Sequence, residues 1–205
     1  MSELIELNPS HPQKEQLNLI TAYLHQGALI AYPTDSGYAL GCALNQQGAL
    51  ERIRAIRNLP PQHNFTLICQ DIAEISHYAK LNNTQFKLIK RLTPGGYTFI
   101  LPASREVPAP VLSKQATVGV RIPDHPIPLL IAETLGAPLL TSTLILPDMH
   151  TPLIYREDVV DHVGNAVDLI IDAGYSGFES TSVLDLTGPY PVILRKGSGD
   201  ISAFE

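Results

Sequence analysis

The chain has 205 residues and a formal net charge of −6, and 44% of its residues are hydrophobic. This length and this hydrophobic fraction predict one domain with a substantial core, spanning residues 1–205. The negative charge excludes a surface that attracts nucleic acid or anionic membranes as a whole, so a polyanion site requires a local basic patch.

The first residues, M-S-E-L-I-E-L, are acidic and lack the basic start and apolar run of a signal peptide. No apolar run reaches the roughly 18 to 20 residues of a membrane span. Cys42 and Cys69 both lie in apolar, strand-like runs, which predicts two buried thiols rather than a disulfide framework. We therefore expect a protein of the reducing cytoplasm that has no membrane partner.

Helical and strand-like segments alternate along the chain. Ser10 is expected to cap a helix that runs through Gln26, and Asn45 is expected to cap a second helix that reaches about Arg57. Asp71 opens a short helix, and further helices are predicted for Asn83–Leu92 and Arg156–Val163. Pro123 and Pro126 end a strand, and the helix after it runs to about Leu135. The predicted strands are Ala28–Tyr32, Tyr38–Ala43, Phe65–Cys69, Tyr97–Leu101, Thr117–Ile122, Leu139–Leu146, Val167–Asp172, Thr181–Leu186 and Pro191–Arg195. This order predicts a mixed α/β fold with helices on the faces of a sheet.

The segment Ile30–Gly41 brings polar side chains to the end of a buried strand. Pro33 is expected to end that strand, because proline has no N–H to donate to a strand ladder. Thr34, Asp35 and Ser36 follow in a predicted turn. Ligands often bind at the strand ends of open sheets, but the same residue types are common in an ordinary hairpin turn. Both interpretations are open from the residues alone.

Three later segments also place polar side chains beside apolar strands. Arg121 lies in an apolar strand, where its guanidinium needs an anionic partner, either a protein carboxylate or a ligand. Thr181 and Ser182 lead into another strand and form either a binding site or a simple hydroxyl turn. Arg195 and Lys196 precede a glycine-rich backbone that suits either an anion cradle or a solvated turn.

Common signatures of nucleotide and metal sites are absent. The chain contains neither G-x-x-x-x-G-K-[ST] nor G-x-G-x-x-G, the two commonest phosphate loops. Its seven histidines are scattered and form no zinc-ligand spacing with the two cysteines, so no metal site is predicted. A nucleotide would have to be held by other groups.

Five segments follow one another along the chain: Tyr32–Gly41, Pro94–Leu101, Val120–Pro126, Thr181–Gly188 and Arg195–Gly197. Each segment is a weak signal alone, but five in this order form a specific pattern. Together they resemble the YrdC-like family, and more closely its YciO branch. The resemblance extends over nearly the whole chain, from Leu4 to about Asp200.

The resemblance implies a twisted, mixed and largely antiparallel α/β sheet with a concave, basic cavity. The best known members are L-threonylcarbamoyladenylate synthases, which join L-threonine, bicarbonate and ATP for a tRNA adenosine modification, and the family is associated with binding double-stranded RNA. The resemblance therefore implies Mg-ATP, L-threonine and RNA as ligands or partners, without a tightly bound cofactor. Matching of motifs implies that Thr34 and Arg121 hold the threonine or carbamate end. It implies that Thr181, Ser182 and Arg195 line the nucleotide and phosphate end.

Two motifs depart from the synthase pattern. The synthases carry K-x-R-P after the second helix, where this chain has Arg57-Asn58-Leu59-Pro60, so that Arg57 is kept as a phosphate ligand and Leu59 is not. They also carry S-x-N, where this chain has Thr143 and Ile145. A lost charge-assisted contact costs about 1.5 to 3 kcal/mol and a lost polar contact about 1 kcal/mol, together roughly two to three decades in a binding constant. Arg54 and His63 are the candidates to compensate.

The resemblance implies a protein that binds a nucleotide and double-stranded RNA, and the two departures predict impaired synthase activity. Two alternatives are an active threonylcarbamoyl-AMP synthase and an enzyme that acts on threonylcarbamoyl adenosine. In a synthase of this kind no protein nucleophile is needed, because positioning and charge neutralisation by arginines supply most of the catalysis.

Overall fold

The computed structural model describes residues 2–60 and 63–205. Ten strands form one sheet: β1 Glu3–Glu6, β2 Ile30–Thr34, β3 Gly37–Ala43, β4 Thr66–Ile68, β5 Tyr97–Pro102, β6 Thr117–Arg121, β7 Leu139–Thr143, β8 Leu169–Asp172, β9 Ser182–Asp185 and β10 Val192–Arg195. Six α-helices surround it: α1 Lys14–His25, α2 Gln47–Arg57, α3 Ile72–Tyr78, α4 Asn83–Leu92, α5 Pro126–Leu135 and α6 Arg156–Val163. Two short 3₁₀ turns lie at Ala109–Val111 and Ser202–Phe204.

The sheet is mixed, as the sequence predicted. Its strand order is β1-β8-β2-β3-β7-β4-β6-β5-β9-β10. Five of the neighbouring pairs are antiparallel and four are parallel. Strands distant in sequence therefore lie side by side, as with β3 and β7 or β5 and β9. None of the helices in the described ranges is long and apolar enough to cross a membrane.

The sheet divides the core into two hydrophobic clusters. On one face, α2, α3, α4 and α6 pack against a large cluster that includes Phe99, Leu101 and Leu140. On the other face, α1 and α5 pack against a smaller cluster around Ile30 and Tyr32. Because side chains alternate between the two faces of a strand, successive strand residues point toward one cluster and then toward the other face of the sheet.

Pro33 does not end its strand, contrary to the sequence prediction. It lies inside β2 and pairs with Tyr38 of β3. The Tyr38 backbone makes its hydrogen bonds on the other side, donating to Leu153 and accepting from Leu144, so the pair with Pro33 needs no N–H from proline. On the opposite edge of β2, pairing with β8 stops at Ala31. A proline is therefore tolerated within this strand.

The predicted caps of the first two helices are also wrong. The Asn8 side chain accepts hydrogen bonds from the backbone N–H groups of Ser10 and His11, which forms a turn ahead of α1. Helices α1 and α2 begin after Gln13 and Gln46, and neither residue makes a side-chain cap. In both places the polar residues form the turn that precedes the helix.

Other local predictions are confirmed. Asp71 caps α3, and the bounds of α4 and α6 agree with the predicted ones. Cys42 and Cys69 are buried free thiols. The edge strand β1 is an addition that the sequence analysis did not identify, because its pattern of exposed glutamates and leucine resembles an acidic tail.

Candidate functional site

A cavity of about 270 Å³ opens on the face of the sheet that carries α1 and α5. Those helices pack mainly on the half of the sheet around β2 and β3. On the remaining half, alternate residues of β4 and β5 form the cavity floor together with Arg121 of β6 and Val183 of β9. On β5, for example, Thr98 and Ile100 face the cavity, while Phe99 and Leu101 face the core on the other side. The volume is near the lower end of the range typical of small-molecule sites.

The cavity brings together five of the six residues predicted to form the site. Its lining includes Thr34, Arg57, Arg121, Thr181 and Arg195. These residues come from β2, the end of α2, the end of β6, the residue before β9, and the end of β10. The sixth residue does not line the cavity, and its placement is described below.

Ser182 is fully buried and holds the C-terminal loop. Its hydroxyl donates to the Gly199 carbonyl at 2.6 Å and accepts from the Gly197 N–H at 3.0 Å. The neighbouring residue Thr181 points into the cavity instead, since adjacent strand residues face opposite sides. Ser182 therefore stabilises the C-terminal loop behind the cavity wall and does not face the cavity.

Arg121 has a protein carboxylate as its partner, which is one of the two alternatives that the sequence left open. Its Nη2 lies 2.6 Å from Oδ1 of Asp35, and its Nη1 donates to the Ser36 hydroxyl at 2.9 Å. The second oxygen of Asp35 accepts the backbone N–H of Asp124 at 3.0 Å. The guanidinium also lines the cavity, and its buried Nε has no hydrogen-bond partner among residues 2–60 and 63–205. The positive charge of Arg121 is thus balanced by Asp35 within the cavity wall.

The turn that carries Asp35 is fixed by its own hydrogen bonds. The Thr34 hydroxyl donates to the Gly37 carbonyl at 2.7 Å and accepts from the Ser36 N–H at 3.0 Å. Gly37 has a φ of +95°, and a β-carbon there would lie 2.6 Å from the Pro152 side chain. Thr34 and Ser36 therefore belong both to a hairpin turn and to the wall of the cavity.

Arg57 and Arg195 carry the unbalanced charge of the cavity. Across the described ranges, neither guanidinium has a carboxylate within 4.0 Å. Burial lowers the pKa of Arg57 to about 10, and the charge on Arg195 contributes to this shift. Burial, followed by the charge on Arg121, likewise lowers the pKa of Arg195. Like charges held in a partly desolvated space favour the binding of an anion.

Hydrogen bonds to the cavity wall orient these two arginines. Arg57 donates through Nη1 to Ser142 at 2.6 Å and through Nε to the Ile145 carbonyl at 3.1 Å. Arg195 donates through Nε and Nη2 to the carbonyl and hydroxyl of Thr181, each at 2.9 Å. These neutral partners fix the guanidinium groups without cancelling their charge.

His63 also lines the cavity. Burial, together with the charges on Arg57 and Arg54, lowers its pKa to about 4, so the imidazole is neutral at pH 7. Arg54 faces elsewhere: it lies 4.8 Å from the centre of the Phe65 ring and 3.7 Å from Glu51. Of the two candidates for compensation, only His63 is in the cavity.

The two altered synthase motifs lie in different parts of the structure. Thr143 and Ile145 line the cavity, so an apolar side chain occupies the wall where the resemblance implies an asparagine. Leu59 lies in a separate surface groove beside Glu51 and Arg54.

Sequence analysis missed four hydroxyl residues of the lining, which are Thr66, Thr98, Thr141 and Ser142. Thr98 lies 2.9 Å from the Thr181 hydroxyl, and Thr141 lies 2.6 Å from the Tyr32 hydroxyl. These residues lie among apolar ones on otherwise buried strands, and this is the sequence pattern that could have identified them.

The sheet and its arginine-lined cavity define a mixed α/β protein with a basic cavity. The chain belongs to the Sua5/YciO/YrdC family, whose model, described as "Telomere recombination", matches residues 22–197. Within the family, its sequence supports the YciO branch. It is 48% identical to a protein of Haemophilus influenzae and 44% identical to YciO of Escherichia coli K12, with full coverage of all chains.

A threonylcarbamoyl-AMP synthase of Vibrio vulnificus is 32% identical over 158 residues, which are 76% of this chain and 84% of the synthase. Solved structures show the same relationships. The crystal structure of E. coli YciO superposes with a TM-score of 0.96 and full coverage of both chains. Sua5 of P. abyssi, in complex with L-threonine, is 26% identical and has a TM-score of 0.87, covering 96% of this chain and 58% of Sua5.

Proposed function

We propose that this protein binds a nucleotide in the cavity, with the phosphates between Arg57 and Arg195, and that its synthase activity is impaired. The observation that carries the proposal is the pair of arginines that share the cavity and have no carboxylate partner in the part of the chain that the structure describes. Their fixed guanidinium groups suit the oxygens of a phosphate, which bind arginine with charge-assisted hydrogen bonds.

The part of the cavity around Arg121 suits a smaller, threonine-like group. There the charge of Arg121 is balanced by Asp35, and hydroxyls of Thr34 and Ser36 line the wall. The P. abyssi relative with the same fold is complexed with L-threonine, which supports an amino acid of this kind as a second ligand.

Impaired synthase activity is supported by the wall at Ile145, which offers an apolar side chain to the ligand. An active synthase is the alternative, and His63 is the residue in the cavity that favours it, since a neutral imidazole can hydrogen-bond a phosphate or a nucleotide base. An enzyme that removes threonylcarbamoyl from adenosine would use the same cavity.

Nucleotide binding is tested by titrating ATP into the protein in a calorimeter. Arg57→Gln and Arg195→Gln should each weaken binding by about 10- to 100-fold, because each removes a charge-assisted contact of about 1.5 to 3 kcal/mol. Arg52→Gln is the matched control, since Arg52 pairs with Asp168 outside the cavity. Equal affinity for all four proteins would contradict the proposal.

RNA binding is a separate proposal. A cavity of about 270 Å³ has room for a nucleotide-sized ligand and not for a double helix. Duplex RNA is recognised over many base pairs through its backbone, so an RNA site requires a surface outside the cavity.

A further inference from the structure

Strand β10 is irregular where it borders the cavity. Ile193 pairs with Leu184 of β9, and Arg195 pairs with Val183, so the register shifts at Leu194. Leu194 is therefore the extra residue of a β-bulge, a feature that often redirects side chains next to a binding site. As a result two consecutive residues, Leu194 and Arg195, both line the cavity. The bulge sets an apolar side chain beside one of the two arginines whose charge is unbalanced.

Leu194 completes an apolar row across three neighbouring strands. Ile100 of β5, Val183 of β9 and Leu194 of β10 all line the cavity. Strand β9 pairs with β5 on one side and with β10 on the other, so the three side chains are neighbours on one face of the sheet. We call these three residues the apolar floor.

The protein covers the apolar floor incompletely. Leu194 is 57% exposed and Val192, on the same strand, is 54% exposed, whereas Ile193 between them packs against the core on the opposite face. Because β10 is the last strand in the order of the sheet, Leu194 lies at the rim of the cavity. A half-exposed leucine in the wall of a cavity favours a ligand that covers it with an apolar surface.

We infer that the apolar floor binds the base of a nucleotide and that it accepts adenine and guanine alike. This assignment rests on the proposed function, since it takes the phosphates to lie at Arg195, the residue next to Leu194. A nucleotide joins an anionic phosphate chain to a base with a flat π-face, and the cavity presents a cation and an apolar floor side by side. Inorganic polyphosphate has the charge alone, so the floor offers it no contact.

Packing on the apolar floor does not distinguish the two purines. The floor consists of hydrocarbon side chains, which carry no hydrogen-bonding atoms, and every base has a π-face. The hydroxyls next to the floor are those of Thr98 and Thr181, which lie 2.9 Å apart and are engaged with each other. The Thr181 hydroxyl also accepts a hydrogen bond from Arg195 at 2.9 Å. These hydroxyls therefore serve the arginine rather than the base.

The polar residues elsewhere in the lining suit either purine. Thr66 and His63 each present groups that both donate and accept hydrogen bonds. The amide oxygen of Asn64 accepts from the Thr117 hydroxyl at 2.9 Å, which leaves the amide nitrogen as the donor on the cavity side. Adenine and guanine both have an N7 acceptor, so a donor here does not select between them.

The test is calorimetric titration of the protein with ATP, GTP and inorganic tripolyphosphate. The wild type should bind ATP and GTP with affinities within about tenfold of each other. Leu194→Ala should weaken the binding of both nucleotides by about five- to tenfold, because it removes apolar area that the base covers. The same variant should bind tripolyphosphate as the wild type does. Arg195→Gln should weaken the binding of all three ligands, since it removes a charge that each of them contacts.

Two control variants separate this contact from a general effect of losing a leucine. Leu4→Ala truncates a leucine that is 45% exposed on β1, the strand at the opposite edge of the sheet, and should bind all three ligands as the wild type does. Leu194→Met keeps an apolar side chain of similar volume and should bind both nucleotides nearly as well as the wild type. Circular dichroism checks that each variant is folded.

Each contrary outcome has a distinct meaning. If Leu194→Ala weakens tripolyphosphate and ATP equally, Leu194 only positions Arg195 and the inference is wrong. If that variant binds ATP and GTP as the wild type does, the base lies elsewhere, and the inference is wrong although the phosphate site stands. A preference of the wild type for one purine by more than about tenfold would show that polar groups read the base, which also overturns the inference. If the wild type binds neither nucleotide nor tripolyphosphate, the proposed function itself fails.

Discussion

Individual arginines of the cavity differ in how their charge is balanced. Arg121 is only 6% exposed and pairs with Asp35, while Arg57 and Arg195 have neutral partners. A buried ion pair is costly to break from one side, because the remaining charge stays in a desolvated place. The three arginines therefore respond differently to substitution.

Asp35→Asn should reduce the free energy of unfolding by about 3 kcal/mol, because it leaves the buried Arg121 guanidinium without its counter-charge. Urea denaturation measures the change. The control is Asp168→Asn, which breaks a pair whose side chains are 39% and 38% exposed and should cost at most about 1 kcal/mol. Equal losses would mean that Arg121 is solvated or has another partner.

His63 reports on the charge of the cavity. In the folded protein its pKa is lowered to about 4, whereas in the unfolded chain a histidine has a pKa near 6.5. Between pH 6.5 and 4 the unfolded chain therefore binds a proton at His63 that the folded protein does not bind. This group therefore reduces stability as the pH falls through that range. In an NMR titration, with His63→Gln to assign the signal, bound ATP should raise the pKa because its phosphates offset the arginine charges. An unchanged value with ATP bound would contradict phosphate binding beside Arg57.

Residue types and motif order identified the three arginines that line the cavity. Arg121 was identified because a guanidinium in an apolar strand needs an anion, and Asp35 and the cavity both fit that need. The role of Ser182 was not predictable, since a one-residue step along β9 decides which side a hydroxyl faces. Leu59 was placed in the site by motif matching, but the chain after α2 turns it away from the cavity.

Among the secondary-structure elements, the β2–β3 hairpin has the most specific requirements. Its turn depends on Gly37, which combines a positive φ with close contact to Pro152. The Gly177 N–H also donates to the Thr34 carbonyl at 2.7 Å, so a second loop holds the same turn. Displacement of the turn would move Thr34 and Asp35 together.

Gly37→Ala should destabilise the protein by at least about 1 kcal/mol more than Gly136→Ala. Both glycines have a positive φ, so both substitutions strain the backbone. Only at Gly37 would the new β-carbon meet other atoms, whereas at Gly136 it would enter open space. Thermal unfolding of the two variants measures the difference, and similar melting temperatures would show that Pro152 moves aside easily.

The elements themselves were largely predictable because their apolar patterns are strong, as in α4 and α6. The errors came from residues whose local preference is overridden by tertiary pairing. Pro33 stays in a strand because its neighbours do not need its N–H, and this depends on β8, which lies far along the chain. The predicted helix caps at Ser10 and Asn45 were wrong because the same residue types also form turns.

At the scale of the whole molecule, basic side chains lie on both faces of the sheet although the net charge is −6. One face carries the arginine-lined cavity, and the other carries α4 with Lys87, Lys90 and Arg91. The sequence predicted the need for local basic patches from this net charge. It did not predict that they lie on opposite faces, because that depends on the register of β5 and on the side to which α4 packs.

The central claim is that the cavity keeps nucleotide binding while synthase activity is impaired. The most direct test is a product assay in which purified protein, Mg-ATP, L-threonine and labelled bicarbonate are incubated, and threonylcarbamoyl adenylate is sought by chromatography. An active synthase of the same family is the positive control. We expect product at a rate at least about a hundredfold below the control, from the roughly two decades that the altered contacts cost. Product at a rate comparable with the control would contradict the claim and establish the chain as an active synthase.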